Sequence, residues 1–277
     1  MNWRAVRAIV RKDLKVVLKS RAVLIPLIMV PLIILVILPA VGGVLLANAN
    51  PDSPEIADFR RESAMFFDNL PGTIGDKLDQ YDNEVQRVTY VIFNLFFPSM
   101  YLLLPTMVAN VIAADSFAGE KERKTLESLI YTPTTDRELL LAKVLGALIP
   151  GAMVGLGGFV VYTIVANLVA LNVVGMLILP NTLWLLLAFF VGPAAAAFGL
   201  GVTVIASSRV NSFQEAYQIG SLVVLPIVLL VVGQAMGAFL LSNWLVLLLG
   251  IVLWAADAVV FFIASASFRR TALMARI

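Results

Sequence analysis

A chain of 277 residues that is 60% hydrophobic and only 14% charged, with a mean hydropathy of +0.94 and a net charge of +2, is too apolar for a soluble domain. It contains neither Cys nor His, which excludes disulfides, thiolate nucleophiles, His general bases and the zinc chemistry of intramembrane metalloproteases. It also lacks a GxxxxGK[ST] phosphate loop, so nothing in it can cradle ATP phosphates, and it shows no catalytic constellation.

The first residues, 1–21, predict an amphipathic helix. Trp3, Val6, Val10, Leu14, Val17 and Leu18 gather on one side, and Arg4, Arg7, Arg11, Lys15 and Lys19 on the other. Such a helix lies in the membrane interface, with its apolar face in the acyl boundary and its basic face toward anionic headgroups. No cleavable signal peptide is expected, because this basic helix precedes a first apolar run too long for a signal h-region.

A span needs about 20 predominantly apolar residues. Six stretches qualify: 22–47, 89–114, 141–166, 182–207, 217–240 and 244–266. The fold class is therefore all-α, a single polytopic transmembrane domain over 1–277. The apolar stretch 167–181 either extends the third span or forms a short re-entrant or interfacial piece. Prolines in the first two spans (Pro26, Pro31, Pro39, Pro98, Pro105) predict kinks that neighbouring helices must re-satisfy. Glycines in the third and the "GPAAAAFGLG" of the fourth predict close helix packing.

Lys and Arg set the orientation. Residues 1–21, the 115–143 segment (Lys121, Arg123, Lys124, Arg137, Lys143), the 208–216 loop (Arg209) and the tail (Arg269, Arg270, Arg276) carry most of the Lys and Arg, and with six spans they share one side, expected to be the cytoplasm. The segment on the other side, 48–88, has four basic and nine acidic residues. Ser53-Pro54-Glu55 predicts a helix start there, and Pro71-Gly72 its end. A second helical pattern, Leu78, Tyr81, Val85 and Val88, runs into the second span. This segment is too short for an independent solute-binding domain.

Between spans 2 and 3 lies "SFAGEKERKTLESLIYTPTTDRELLLAK", unusually dense in charge. Gly119–Tyr131 predicts a short helix in a cytoplasmic segment, 115–140, with Glu120 and Lys124 as an i,i+4 pair. Pro133 stops it. Thr135 and Glu138 then form a capping box that opens the third span. A plain connector needs only a few residues. An amphipathic element with both charge signs suits docking to a soluble partner.

"DSFAGEKERKTLESLIYTPTTDRELLLAKVLGALIP" resembles the cytoplasmic motif of ABC-2-type transporter permeases, the membrane subunits of ATP-binding cassette exporters. The matching positions are Gly119, Glu120, Glu122, Thr125, Leu126, Glu127, Leu129, Ile130, Pro133, Glu138 and Lys143. Two positions depart from the pattern: Lys124 stands where Gly is common before "TLE", and Ala142 where Gly precedes the Lys. Within the family the chain is most similar to sodium-efflux (NatB-like) and drug or lipid export permeases. The resemblance implies a coupling helix over 119–132 that contacts a separate ATPase subunit. It implies that the N-terminal helix (Arg4, Arg7, Arg11, Lys15) is a connecting helix. It further implies a dimer of permeases with the substrate path between them, in a prokaryotic inner membrane with both termini cytoplasmic. ATP and magnesium would be bound by the partner; this chain would bind no cofactor, no metal and no nucleic acid.

Asp257 is an acid well inside a span and a candidate for a substrate or ion pathway. Asn94, Asn110 and Gln234 are further polar candidates, with interhelical hydrogen bonding as the alternative. Two other classes are weighed against an export permease. A gradient-driven secondary transporter calls for more paired intramembrane charges or broken helices at midplane. A non-transporting scaffold keeps the docking segment but leaves the kinked, glycine-rich helices without a use. The expected substrate is a hydrophobic or amphipathic compound, or sodium.

Overall fold

A computed structural model describes residues 2–48, 78–81, 83–125, 134–236 and 241–267, with Pro54, Asp58 and Arg61 as single positions. The described residues form helices and no strand. Six of the helices are long and apolar enough to cross a membrane: Val23–Ala47, Glu84–Glu122, Asp136–Val173, Thr182–Ser207, Phe213–Gln234 and Asn243–Ser265, called spans 1 to 6. An N-terminal helix, Trp3–Lys19, precedes them, with Asn2 as its cap.

Spans 2 and 3 exceed their hydropathy limits most. At 39 and 38 residues they run about 57–58 Å, against a hydrocarbon core of about 30 Å. Span 2 begins at the cap of Asn83, whose side chain accepts from the Gln86 amide at 2.9 Å. The helical pattern from Leu78 is thus interrupted by a turn, and Leu78 and Tyr81 instead fold back onto Val91, Leu95 and Val174. Span 3 begins at the expected capping box, with both Thr135–Glu138 hydrogen bonds present. It runs on to Val173, so 167–173 extends the helix and 174–181 does not. The chain then turns at Gly175 (φ +82°) and returns along span 3. Asn167 clamps the return: its Nδ2 donates to Leu179 O at 2.8 Å, and its Oδ1 accepts from the amides of Ile178 and Leu179 at 3.0 and 3.1 Å.

Spans 2 and 4 are the buried centre of the bundle, while spans 1, 5 and 6 leave most of their apolar surface facing outward, as lipid-facing helices do. Span 2 lies against spans 3 and 4. Gly151 of span 3 permits that approach: a Cβ there would sit 3.1 Å from both Ala109 Cβ and Pro105 O. An aromatic group closes the opposite end of the same core, with Trp184 stacked on Tyr162 at 4.5 Å and set edge-on to Tyr101 at 5.6 Å.

Three spans contain a π-helical turn followed at once by proline: Ile33–Ile37 before Pro39, Ile92–Phe96 before Pro98, and Leu187–Val191 before Pro193. Proline removes one N–H and crowds the preceding turn, and a widened turn absorbs both effects without ending the helix. The kinks expected at Pro39 and Pro98 are therefore accommodated as local widenings, whereas Pro26, Pro31 and Pro105 lie inside α-helix with no π-turn directly before them. A fourth π-turn, Asp115–Gly119, has no proline after it.

Candidate functional site

The fourth π-turn is where the charge lies. It rotates Asp115, Ser116 and Glu120 into the bundle, all buried, and the N-terminal helix and span 3 meet them there. Lys143 of span 3 is fully buried. Its ammonium donates to Glu120 Oε2 at 2.6 Å, to Ser116 Oγ at 3.1 Å and to the Ser116 carbonyl, and lies 5.2 Å from the centre of the Phe117 ring. The other oxygen of Glu120 accepts from Lys12 of the N-terminal helix. Lys12 also pairs with Asp13 at 3.0 Å, and Asp13 accepts from Ser116 Oγ at 2.8 Å.

The contacts close into a ring: Lys143, Glu120, Lys12, Asp13, Ser116 and back to Lys143. Two acids balance two bases, so the ring is neutral. A buried charge is tolerated when it is paired and hydrogen-bonded, as Asp13, Glu120 and Lys143 are, with the half-exposed Lys12 closing the ring. Burial pulls the Lys12 ammonium down, but Glu120 and Asp13 outweigh it and hold Lys12 above the ordinary lysine range. Beside the ring, Lys12, Asp13, Asp115, Glu120 and Arg123 line a cavity of about 330 Å³.

Further contacts bind this junction to the rest of the chain. Glu138 accepts from the Asn2 amide at 2.5 Å, joining the start of the N-terminal helix to the start of span 3. Lys121 donates to Val210 O at 3.1 Å, and Glu122 accepts from the Phe213 amide at 2.8 Å at the start of span 5. Arg123 folds back onto Asp115 at 2.9 Å. Gly119 leaves room for that, since a Cβ there would lie 2.9 Å from Asp115 Oδ1 and 3.2 Å from the Arg123 guanidinium.

Several expectations change here. Glu120 is not a surface charge paired with Lys124; it turns inward to Lys12 and Lys143. The helix does not run unbroken through Gly119–Tyr131. It ends at Glu122 in a Schellman turn: the Thr125 amide bonds Glu120 O at 2.9 Å, the Lys124 amide bonds Lys121 O at 3.1 Å, and Lys124 takes a left-handed φ of +55°. Glu122 and Thr125 are exposed. Leu126, Glu127, Leu129, Ile130 and Pro133 lie outside the described residues, as do Arg269, Arg270, Arg276 and nearly all of the helix expected from Ser53. In the N-terminal helix Arg4, Arg7, Arg11 and Lys15 are exposed as expected, but the buried stripe is Val6, Ile9, Asp13 and Val17, while Trp3 and Leu18 face outward. That stripe packs on span 3. The rotation puts Asp13 into the ring. Asp13 is the only acid among the first 50 residues, a signal the apolar periodicity hid.

The membrane polar candidates do not gather into one site. Asn94 accepts from Asn181 at 2.6 Å. Asn110 donates to Gly220 O at 3.1 Å and accepts from Thr203 at 3.2 Å, knitting spans 2, 4 and 5. Gln234 accepts from Ser99. Asp257 is buried, and neither carboxylate oxygen has a hydrogen-bond partner among the described residues.

The profile of the ABC-2 family transporter protein matches residues 7–246. The chain belongs to that family. It is thus a multi-pass membrane permease of an ABC transporter, a transport subunit rather than a catalyst, and its family implies an ABC ATPase partner. No curated protein and no solved structure matches it. The matched range takes in the whole ring and ends within the first turn of span 6, before Asp257.

Proposed function

We propose that this permease forms the substrate path of an ABC exporter as a dimer, driven by a separate ATPase chain that binds ATP and magnesium. Both termini and the charged end of the bundle face the cytoplasm of a prokaryotic cell, and 48–88 faces outward. The ring is the joint through which the ATPase moves the spans. The observation that carries this reading is one closed circuit of charges joining three elements: the N-terminal helix, the end of span 2 and the start of span 3. A push on the 119–133 segment or on the N-terminal helix reaches both long spans through groups that cannot separate without leaving a buried charge unpaired.

Docking and transmission fall to different residues in this scheme. The 126–133 stretch, with Glu127, Leu129 and Ile130, grips the ATPase, and Glu120 passes the displacement on. The substrate is a hydrophobic or amphipathic compound, in keeping with spans made of Leu, Val, Ala and Gly. Sodium, which needs several oxygen ligands, is less well served by a lone Asp257.

The absence of native cysteine makes the test direct. Spin labels are placed on introduced cysteines in spans 2 and 3 of the assembled complex. Glu127→Lys with Leu129→Ser should release the ATPase subunit on co-purification. Lys12→Gln should keep the ATPase bound but abolish the ATP-dependent change in label distance. If Lys12→Gln leaves that change intact, the ring is not the joint.

A further inference from the structure

We propose that Asp257 is a proton-binding site within the membrane: it carries its proton while span 6 lies against span 4, and releases it only when water enters that seam. Asp257 is 14 residues from Asn243 and eight from Ser265 in span 6, so it lies about 12 Å or more along the helix from either end, inside the hydrocarbon layer.

Two contacts fix which way this part of span 6 faces. On one side of Asp257, Trp254 Nε1 donates to Phe190 O of span 4 at 3.2 Å. On the other, Val260 fills the space that Gly201 of span 4 leaves by having no side chain. The stretch of span 4 between these contacts includes "GPAAAAFGL", with Ala194, Ala195, Ala196 and Ala197 all buried. Asp257 is only 3% exposed, and both its oxygens are unpartnered among the described residues.

Among the described residues of spans 4 and 6 there is no counter-charge. Residues 182–207 of span 4 contain no Asp, Glu, Lys, Arg or Tyr, and span 6 contains no other titratable side chain. An ionised carboxylate buried without a cation or donor is far costlier than the neutral acid. A proton satisfies the group with one covalent bond. A metal cation would need further oxygen ligands, and the facing helix offers alanine side chains. The step is simple acid dissociation, Asp257–COOH giving Asp257–COO⁻ and a hydrated proton, and the water must come through a parted seam. Opening span 6 from span 4 is therefore linked to one proton per chain. This depends on the six spans lying in a membrane and not on the ATPase reading.

The test uses the purified full-length permease in an ester-free detergent at neutral pH. The infrared spectrum of the wild type should show the carbonyl stretch of a protonated carboxylic acid that Asp257→Asn lacks. A lipid-soluble carbodiimide, which attacks protonated buried acids, should modify residue 257 toward one label per chain, with the rate falling as pH rises. Both readings can be made on the wild-type chain, so a variant that fails to fold does not decide the outcome. The proposal is overturned if the acid carbonyl region is the same in wild type and Asp257→Asn, or if Asp257 stays unmodified at every pH.

Discussion

Glu120 and Asp257 are both carboxylates of nearly equal burial, 5% and 3% exposed, yet they live in opposite electrostatic worlds. Glu120 meets two ammonium groups, and its ring neighbours meet each other. Asp257 lies between two contacts with span 4 that flank its alanine-rich stretch, and is left with no partner among the described residues. The first arrangement makes charge a fastener: it is stable as long as its parts stay together, and it transmits force because separating them is expensive. The second makes charge conditional, since the group can ionise only when its surroundings change. Burial alone does not separate the two; the partner list does.

The largest expected effect breaks the fastener. Lys143→Met removes the cation at the centre of the ring and leaves Glu120 and Asp13 sharing Lys12 alone. Losing one partner of a buried pair costs about 3–5 kcal/mol. A large drop in thermal unfolding midpoint of the purified permease is expected. Adding Glu120→Gln should recover part of it, because the uncompensated anion is then gone. If the double variant is no more stable than the single one, Glu120 and Lys143 do not act as a pair.

A smaller effect tests a neutral fastener at the opposite end of span 3. Asn167→Ala deletes three hydrogen bonds to the returning 178–179 backbone. At about 1 kcal/mol net each, the loss is about 2–3 kcal/mol. Hydrogen exchange should rise at the Ile178 and Leu179 amides before it rises elsewhere. Equal exchange in both proteins would show that the return is held by other contacts.

How these regions appear in the sequence follows the same division. The spans are legible because a bilayer imposes about 20 apolar residues on each, and the Thr135–Glu138 box is legible because its partners are three residues apart. The ring is not, because Glu120 and Lys12 are 108 positions apart and no local pattern connects them. "GEKERKTLE" reads as continuous helix because its residues are good helix formers. The structure ends that helix at Glu122 and turns left-handed at Lys124, the position where the family pattern often has Gly. The left-handed φ explains the preference, since a Cβ is disfavoured there; Gly175, after span 3, fills the corresponding role with glycine. The family resemblance supplied the clue, and only the backbone angle supplied its physical meaning.

Lys124→Gly turns that explanation into a measurement. Lys124 is exposed and is not part of the ring, so relief of the left-handed strain should stabilise the fold by about 0.5–1 kcal/mol, offset in part by the greater freedom of glycine in the unfolded chain. The unfolding midpoint should rise slightly. A fall would mean that the lysine side chain contributes more than its backbone costs.

The smallest effect is expected at the most isolated charge. With its proton on, Asp257 is exchanged in Asp257→Asn for another neutral group of the same shape, in a place where no ion pair or hydrogen bond among the described residues is lost. If Asp257 carries a proton, the unfolding midpoint at about pH 4 and below, where the unfolded chain is protonated at this position too, should differ little between the two proteins, by roughly ±0.5 kcal/mol. A fold that holds Asp257 ionised even at that pH predicts otherwise: removing an unpaired buried charge would raise stability by well over that amount. The same variant at pH rising above about 4 sharpens the comparison with Glu120. Wild type should lose stability relative to Asp257→Asn as pH rises, because the unfolded chain gains by ionising Asp257 while the closed seam does not allow it. The sign follows from linkage: when the folded state holds the proton longer than the unfolded state does, stability falls with increasing pH. A wild type and variant that keep the same difference at all pH values would place Asp257 with the fasteners after all.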